Sequence, residues 1–241
     1  MSDARVYPGR ELEAMQLAVN YHRWILQSIR PFLGRRLVEV GAGTGSFSEL
    51  LLDAPCETLA LVEPSRLMFE QLKERVSKLV TAARVEVYNA TFAEVAERIR
   101  NDERPDSILY INVLEHIKDD EAELSLVRRT LAQDGRVFIF VPAFQWLYGR
   151  FDAEVGHVRR YTKAELEEKC RRAGFKIIKS RYFDLAGVVP WYFKYRVLKS
   201  DRMEPWAVKL YDRYLLHFTK AIEAAIPPPI GKNIILVAEK T

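Results

Sequence analysis

Gly41, Gly43 and Gly45 follow the apolar run Leu37-Val38-Glu39-Val40 and lead into Ser46-Phe47-Ser48-Glu49. A strand that breaks into glycines at a helix start lets the backbone approach a ligand closely, because positions a β-carbon would obstruct stay open. Glu63 lies twenty residues beyond Gly43, at the end of a second apolar run, Thr58 to Val62. A carboxylate at that place in an α/β unit hydrogen-bonds the two hydroxyls of a ribose. The glycine spacing is G-x-G-x-G, with Ser46 where the third glycine of a dinucleotide fingerprint would fall. Glycines and acid together point to a nucleoside cofactor with a free ribose diol, a description that NAD and S-adenosylmethionine both meet.

Other residues with chemical potential lie further along. Gly156-His157-Val158-Arg159-Arg160-Tyr161 sits in the long connection from Phe144 to Tyr161, a length usual for functional loops. His157 is the first candidate for a proton-accepting base and His116 the second. Arg159 and Arg160 suit a bidentate clamp on phosphate or carboxylate, with Tyr161 beside them. The bland alternative pairs one arginine with Asp152 or Glu154 to fix the loop, and we expect one arginine in each role. Trp191, Tyr192, Phe193 and Tyr195 alternate with Lys194, Arg196 and Lys199. Such a stretch serves as core stripe, lid, dimer contact or membrane-surface contact.

The elements that must carry these residues alternate. Arg10 to Phe32 reads as a helix. Strands follow at Leu37–Val40, Thr58–Glu63, Arg84–Tyr88, Ser107–Asn112 and Arg136–Val141, with helices between them. Ser46-x-x-Glu49 and Thr162-x-x-Glu165 read as capping boxes. The helix after Pro64 should turn Leu67, Phe69, Leu72, Val76 and Leu79 inward. A sixth strand, Phe175 to Asp184, and a seventh, Asn233 to Ala238, flank a helix from Pro205 that carries Trp206, Leu210, Tyr214, Phe218 and Ile222 on one stripe. The pattern predicts an α/β, Rossmann-like, mostly parallel sheet with helices on both faces and ligand at the carboxyl ends of the strands. We expect one domain over 1–241. Residues 1–35 would form a helical cover, 36–142 the cofactor-binding core, and 143–241 the acceptor side.

Composition is that of an ordinary globular chain: 241 residues, 49% hydrophobic and 29% charged. The start lacks the apolar core of a signal peptide, and the longest apolar run, Leu185 to Phe193, is too short to span a bilayer. Cys56 and Cys170 read as free thiols in a reducing, cytoplasmic setting. No metal-ligand cluster is visible, so no metal is expected. The net charge of +4 arises entirely in 190–241, with nine Lys/Arg against five Asp/Glu. This suits an anionic substrate or a membrane surface, the latter through 190–200, and does not call for nucleic acid.

In combination the motifs resemble the class I S-adenosylmethionine-dependent methyltransferases. VEVGAGTG is similar to their first motif, LVEP to their acidic second-strand end, INVLEHI to their fourth-strand motif and GRVFIFVP to their fifth strand. NYHRWILQSIRPFLGRR, G-H-x-R-R-Y-T and PPPIGKNIILVAEK are similar to bacterial members found with, or fused to, polyisoprenyl-phosphate glycosyltransferases. The resemblance implies S-adenosylmethionine as cofactor, S-adenosylhomocysteine as product, and an antiparallel last strand after a helical insert. It implies methylation of oxygen or nitrogen on a small-molecule, sugar or lipid-linked acceptor. The implied cofactor residues are Glu39, Gly41, Ala42, Gly43 and Gly45 at the first strand, and Glu63 and Pro64 at the second. Asn89 and Ala90 would border adenine, Asn112 would place its backbone beside the donor sulfur, and Thr91 and Val113 complete the implied cofactor set. Many members have an acid where Asn89-Ala90 stands. The competing functions are an NAD-dependent oxidoreductase and a non-catalytic S-adenosylmethionine-binding protein.

Overall fold

The computed structural model describes residues 16–241. Seven strands form one sheet in the order β3-β2-β1-β4-β5-β7-β6. They are β1 Arg36–Val40, β2 Thr58–Val62, β3 Arg84–Tyr88, β4 Ser107–Ile111, β5 Arg136–Pro142, β6 Phe175–Phe183 and β7 Asn233–Lys240. Pairing is parallel from β3 through β5, and β7 is antiparallel to both β5 and β6. Strand order reverses between β1 and β4, which is where α/β sheets open a crevice.

Side-chain alternation builds a core on each face. Val38, Val40, Ala60, Val62, Ile108 and Tyr110 point to one side, under α4 Phe92–Asp102, α5 Asp120–Thr130 and α7 Lys163–Arg172. Leu37, Leu59, Leu61, Leu109 and Phe138 point to the other, under α1 Val19–Ile29, α2 Ser48–Leu51, α3 Arg66–Ser77 and α10 Leu216–Ala225. Both faces are dry, which is why these strands read as continuous apolar runs.

The first described helix begins at Val19, and the expected start at Arg10 lies outside the described residues. The Asp212 carboxylate accepts the backbone N–H groups of Asn20 (3.1 Å) and Tyr21 (2.8 Å), supplying partners that a helix start otherwise lacks. The Ser46-x-x-Glu49 box does not form. Helix α2 opens at Ser48, whose hydroxyl donates to Glu39, while Glu49 pairs with Arg75 at 3.1 Å. The Thr162 cap does form, accepting from Glu165 N–H at 3.2 Å. In α3, Met68 is buried and Leu67 exposed, reversing the expected inward position of Leu67.

The connection from β5 to α7 is tied rather than loose. Phe144 N–H donates to Tyr161 O (2.7 Å), Tyr161 N–H donates to Pro142 O (3.1 Å), and α6 Arg150–Glu154 lies within it. After β6 come α8 Val188–Trp191, a π-helical run Tyr192–Val197, and α9 Pro205–Leu210, which continues through a second π-helical run into α10. No helix among the described residues is long and apolar enough to cross a membrane.

Candidate active site

The crevice starts at the end of β1. Gly41 and Ala42 N–H groups donate to Val62 O at 2.8 and 3.1 Å, folding the glycine turn over β2. Gly41 has φ +70, and a β-carbon there would meet Val113 Cγ2 at 2.5 Å, so no other residue fits. Glu63 closes the turn from the opposite side. Its carboxylate accepts Gly43 N–H and Ser65 N–H, each at 2.8 Å. Each carboxylate oxygen keeps acceptor capacity toward the cavity. Burial raises its pKa against the pull of those two amides. Glu39, also buried, is pushed up to about 8 by desolvation, opposed by Ser48 and reinforced by Glu63.

The end of β4 supplies the next wall. Asn112 adopts φ +55, a left-handed conformation that asparagine tolerates, and its N–H donates to Phe140 O at 2.8 Å. Val113 follows, then the 3₁₀ turn Leu114–His116. The long connection folds against this turn. Val158 N–H donates to Glu115 O (2.9 Å), and the Tyr161 hydroxyl donates to Leu114 O (3.2 Å).

His157 is thereby brought next to His116, ring centroids 4.7 Å apart. His157 Nδ1 lies 2.8 Å from Asp152 Oδ1, and its Nε2 lies 3.8 Å from Glu115 Oε1. The carboxylate favours the Nδ1–H tautomer, leaving a lone pair on Nε2. Asp152 is fully buried and also accepts Arg160 Nε (2.8 Å), Arg160 Nη2 (3.1 Å) and Gly149 N–H (2.9 Å). Burial would raise its pKa, but His157 and Arg160 outweigh that and hold it below the usual carboxylate range. Burial lowers the His157 pKa, with Asp152 opposing, and takes His116 down to about 3, aided by His157. Glu115 has no exposure and is pushed up to about 8 by burial, with Arg160 partly opposing.

A single cavity of about 780 Å³ joins these halves. Of the expected cofactor residues, Glu39, Gly41, Ala42, Gly43, Glu63, Pro64, Thr91, Asn112 and Val113 line it. Gly45 packs instead beside Leu72 and Arg75. Asn89 turns its amide to Glu63 O (2.9 Å) and Pro64 O (3.3 Å), and neither it nor Ala90 lines the cavity. His116, His157 and Arg160 line the acceptor half.

Both arginines make contacts that fix the loop, and of the two Arg160 alone borders the cavity. The Arg160 guanidinium is buried against Asp152 and over the Trp191 ring, 4.8 Å from the centroid. Arg159 pairs with Asp120 at 2.6 Å and donates to Lys118 O, and does not itself line the cavity. Tyr161 is fully buried, donating to Asp120 at 2.8 Å as well. All three fix the loop.

The expectation of no ligand cluster fails. Glu115, His116 and His157 place ligand atoms within 4.8 Å of one another. Sequence reasoning missed Glu115 as a site residue and Asp152 as the partner that orients His157. It also missed Lys232, which lines the cavity and binds Asp184 at 3.0 Å. Only the LEHI run hinted at Glu115, and no spacing signalled Lys232.

The family described as Methyltransferase domain matches residues 14–180. No curated protein matches. Among solved structures, a S-adenosylmethionine-dependent methyltransferase from Archaeoglobus fulgidus is 18% identical, with TM-score 0.59, covering 96% of this chain and 94% of that one. A cyclopropane synthase from Mycobacterium tuberculosis is 14% identical, with TM-score 0.60, covering 89% and 82%. Haemonchus contortus phosphoethanolamine N-methyltransferase 2, in complex with S-adenosylmethionine, is 15% identical, with TM-score 0.62, covering 100% of this chain and 60% of that one. At these identities the likeness is one of fold.

Proposed function

Since the chain belongs to the class I S-adenosylmethionine-dependent methyltransferases, we propose that it uses this cofactor to methylate a hydroxyl or amine of a small-molecule, sugar or lipid-linked acceptor. One observation carries the reading: the glycine turn with Glu63 and the Asp152–His157 pair border the same cavity or directly support it. Two buried carboxylates, Glu39 and Glu63, suit a cofactor that presents cationic groups and a ribose diol. The turn leaves the approach to them free of side chains, which fits the cofactor. In this reading the described part of the 1–35 segment, 16–35, covers the crevice, 36–142 hold the cofactor and 143–241 receive the acceptor.

The chemistry is direct displacement. The acceptor lone pair attacks the methyl carbon, the carbon–sulfur bond breaks toward sulfur, and S-adenosylhomocysteine leaves. Bound S-adenosylmethionine supplies an already activated methyl group, so the chain's residues chiefly align the reactants and remove a proton. His157 Nε2 takes that proton, with the imidazolium stabilised by Asp152. Arg159, Arg160 and Tyr161 hold the loop that presents it.

The acceptor reading extends to a membrane surface at the cytoplasmic face. Trp206 (67% exposed), Leu210, Tyr214, Phe218 (71%), Ile222 and Ile226 form an outward apolar stripe, beside Lys209, Arg213 and Lys220. Phe193 and Leu198 add to it within 190–200, among Lys194, Arg196 and Lys199. An exposed apolar stripe with cationic flanks suits an interfacial helix over anionic lipid. Trp191 and Met203 of the same insert line the cavity, which suits a lipid-linked acceptor such as a polyisoprenyl-phosphate sugar.

Radiolabelled S-adenosylmethionine offered with a lipid-plus-metabolite extract tests the activity; label in an extracted product is expected, and none would leave a binding protein only. Titration with S-adenosylmethionine and with NAD should show tighter binding of the former. Flotation with anionic liposomes should carry the chain upward, and a Trp206→Ser/Phe218→Ser variant should stay behind. Full recovery of the unmodified chain in the soluble fraction overturns the membrane part.

A further inference from the structure

We infer that Glu115, His116 and His157 form a divalent-cation site, and that the ion's open positions receive an acceptor oxygen. The inference deepens the proposed function, since it rests on that reading for what enters the cavity. Both Glu115 carboxyl oxygens are buried without a hydrogen-bond partner from another residue, and the side chain has no exposure. A fully buried carboxyl with no partner beyond its own backbone N–H requires an explanation, and a cation is the one its neighbours support. His157 Nε2 stands 3.8 Å from Glu115 Oε1, and the ligand atoms of all three residues converge within 4.8 Å.

The surroundings are those of a ligand set. His157 is held through Nδ1 by Asp152, the carboxylate–histidine arrangement that orients metal-bound imidazoles. His116 hydrogen-bonds the Gly156 backbone. Arg160 balances Asp152 through a two-point ion pair, so Glu115 is the acid left to face a cation, which would displace its proton on binding. The two ligand-bearing segments are clamped by the Val158 N–H to Glu115 O bond and by Arg159, which joins Lys118 O to Asp120. A clamped site loses little order when it binds an ion.

Two imidazoles and one carboxylate favour Mn²⁺, Fe²⁺, Co²⁺ or Zn²⁺ over Ca²⁺ or Mg²⁺, which prefer all-oxygen shells. Three ligands leave coordination positions open, and both histidines line the cavity. An acceptor hydroxyl bound there becomes acidic enough to release its proton to water, and its oxygen then attacks the methyl carbon. His157 Nε2 cannot hold the ion and take a proton at once. With the ion bound His157 is a ligand, and the acceptor class narrows to hydroxyls.

The full chain, stripped with EDTA and equilibrium-dialysed with Mn²⁺ alone, should bind one ion per chain. Pulsed EPR of that Mn²⁺ should show imidazole nitrogen coupling. Glu115→Gln, which keeps the shape and removes the buried acid, should weaken Mn²⁺ binding at least tenfold while leaving S-adenosylmethionine binding intact. Wild-type chain that binds no Mn²⁺, or binds it without nitrogen coupling, overturns the inference, whether or not the variant folds. Titration of the stripped chain with S-adenosylmethionine separates the two readings. Cofactor binding without ion binding removes the metal site alone, and ion binding without cofactor binding removes the methyl-transfer reading alone.

Discussion

Asp152 Oδ1 lies 2.8 Å from both His157 Nδ1 and Arg160 Nε, so one buried oxygen orients the imidazole and anchors the guanidinium. The loop's candidate base and its structural arginine are therefore parts of one network, and substitutions must be chosen to separate them.

His157→Gln removes the ring while sparing Asp152 and Arg160. It should lower methyl transfer by about 10²–10⁴-fold, the range for losing a positioned proton acceptor. S-Adenosylmethionine affinity should hold, because the contacts of His157 are to Asp152, Glu115 and His116 and none is to the glycine turn or Glu63. Single-turnover rates and cofactor titration on one preparation check this, and an unchanged rate would remove His157 from the chemistry.

Arg160→Ala should destabilise the fold by about 3–5 kcal/mol, since it leaves the buried Asp152 charge with only His157 and the Gly149 amide as partners. Arg159→Ala should cost less, because its side chain is 25% exposed and Asp120 keeps Lys169 at 2.9 Å. Urea midpoints for the two variants decide it. Equal losses would mean that Arg160 is no more structural than Arg159.

The fold was legible because central strands such as β2 and β4 are buried on both faces and so write nearly unbroken apolar runs, as in Leu59-Ala60-Leu61-Val62. The cofactor half was legible for a local reason: Gly41, Gly43 and Glu63 meet through a turn and a neighbouring strand. The acceptor half was not. Glu115 and His157 lie far apart in the chain and meet only because Val158 bonds back to Glu115. The start of α1 was hidden likewise, since its cap, Asp212, comes from nearly two hundred residues away. The stripe from Trp206 to Ile222 was read correctly as one face, but periodicity does not say whether a face turns in or out.

His22 gives a pH dependence with a definite sign. It is buried beside Phe47, and desolvation lowers its pKa from the ordinary 6.5 to about 4. The unfolded chain takes up this proton first as pH falls, so stability from His22 is complete above about 6.5, declines between 6.5 and 4, and is flat below. Over that window the loss amounts to about 3 kcal/mol. His22→Gln, which does not titrate, should unfold with a shallower pH dependence. Urea melts at half-unit intervals measure the difference, and parallel curves would mean that His22 protonates alike in both states.

Glu63 tests the cofactor half. Its two oxygens hold Gly43 N–H and Ser65 N–H while facing the cavity. Glu63→Gln replaces one acceptor by an NH₂ group, which cannot accept from the amide opposite it or from a ribose hydroxyl. The glycine turn loses one restraint and the cofactor one hydrogen bond. Affinity for S-adenosylmethionine should fall by about 1–3 kcal/mol, the cost of leaving a buried polar group unpaired. Thermal stability without cofactor should fall less, because Gly41 and Ala42 still bond Val62 O. Calorimetric titration and thermal melts on the same variant compare the two losses. If affinity is untouched while the melting temperature drops, Glu63 supports the turn without binding ribose.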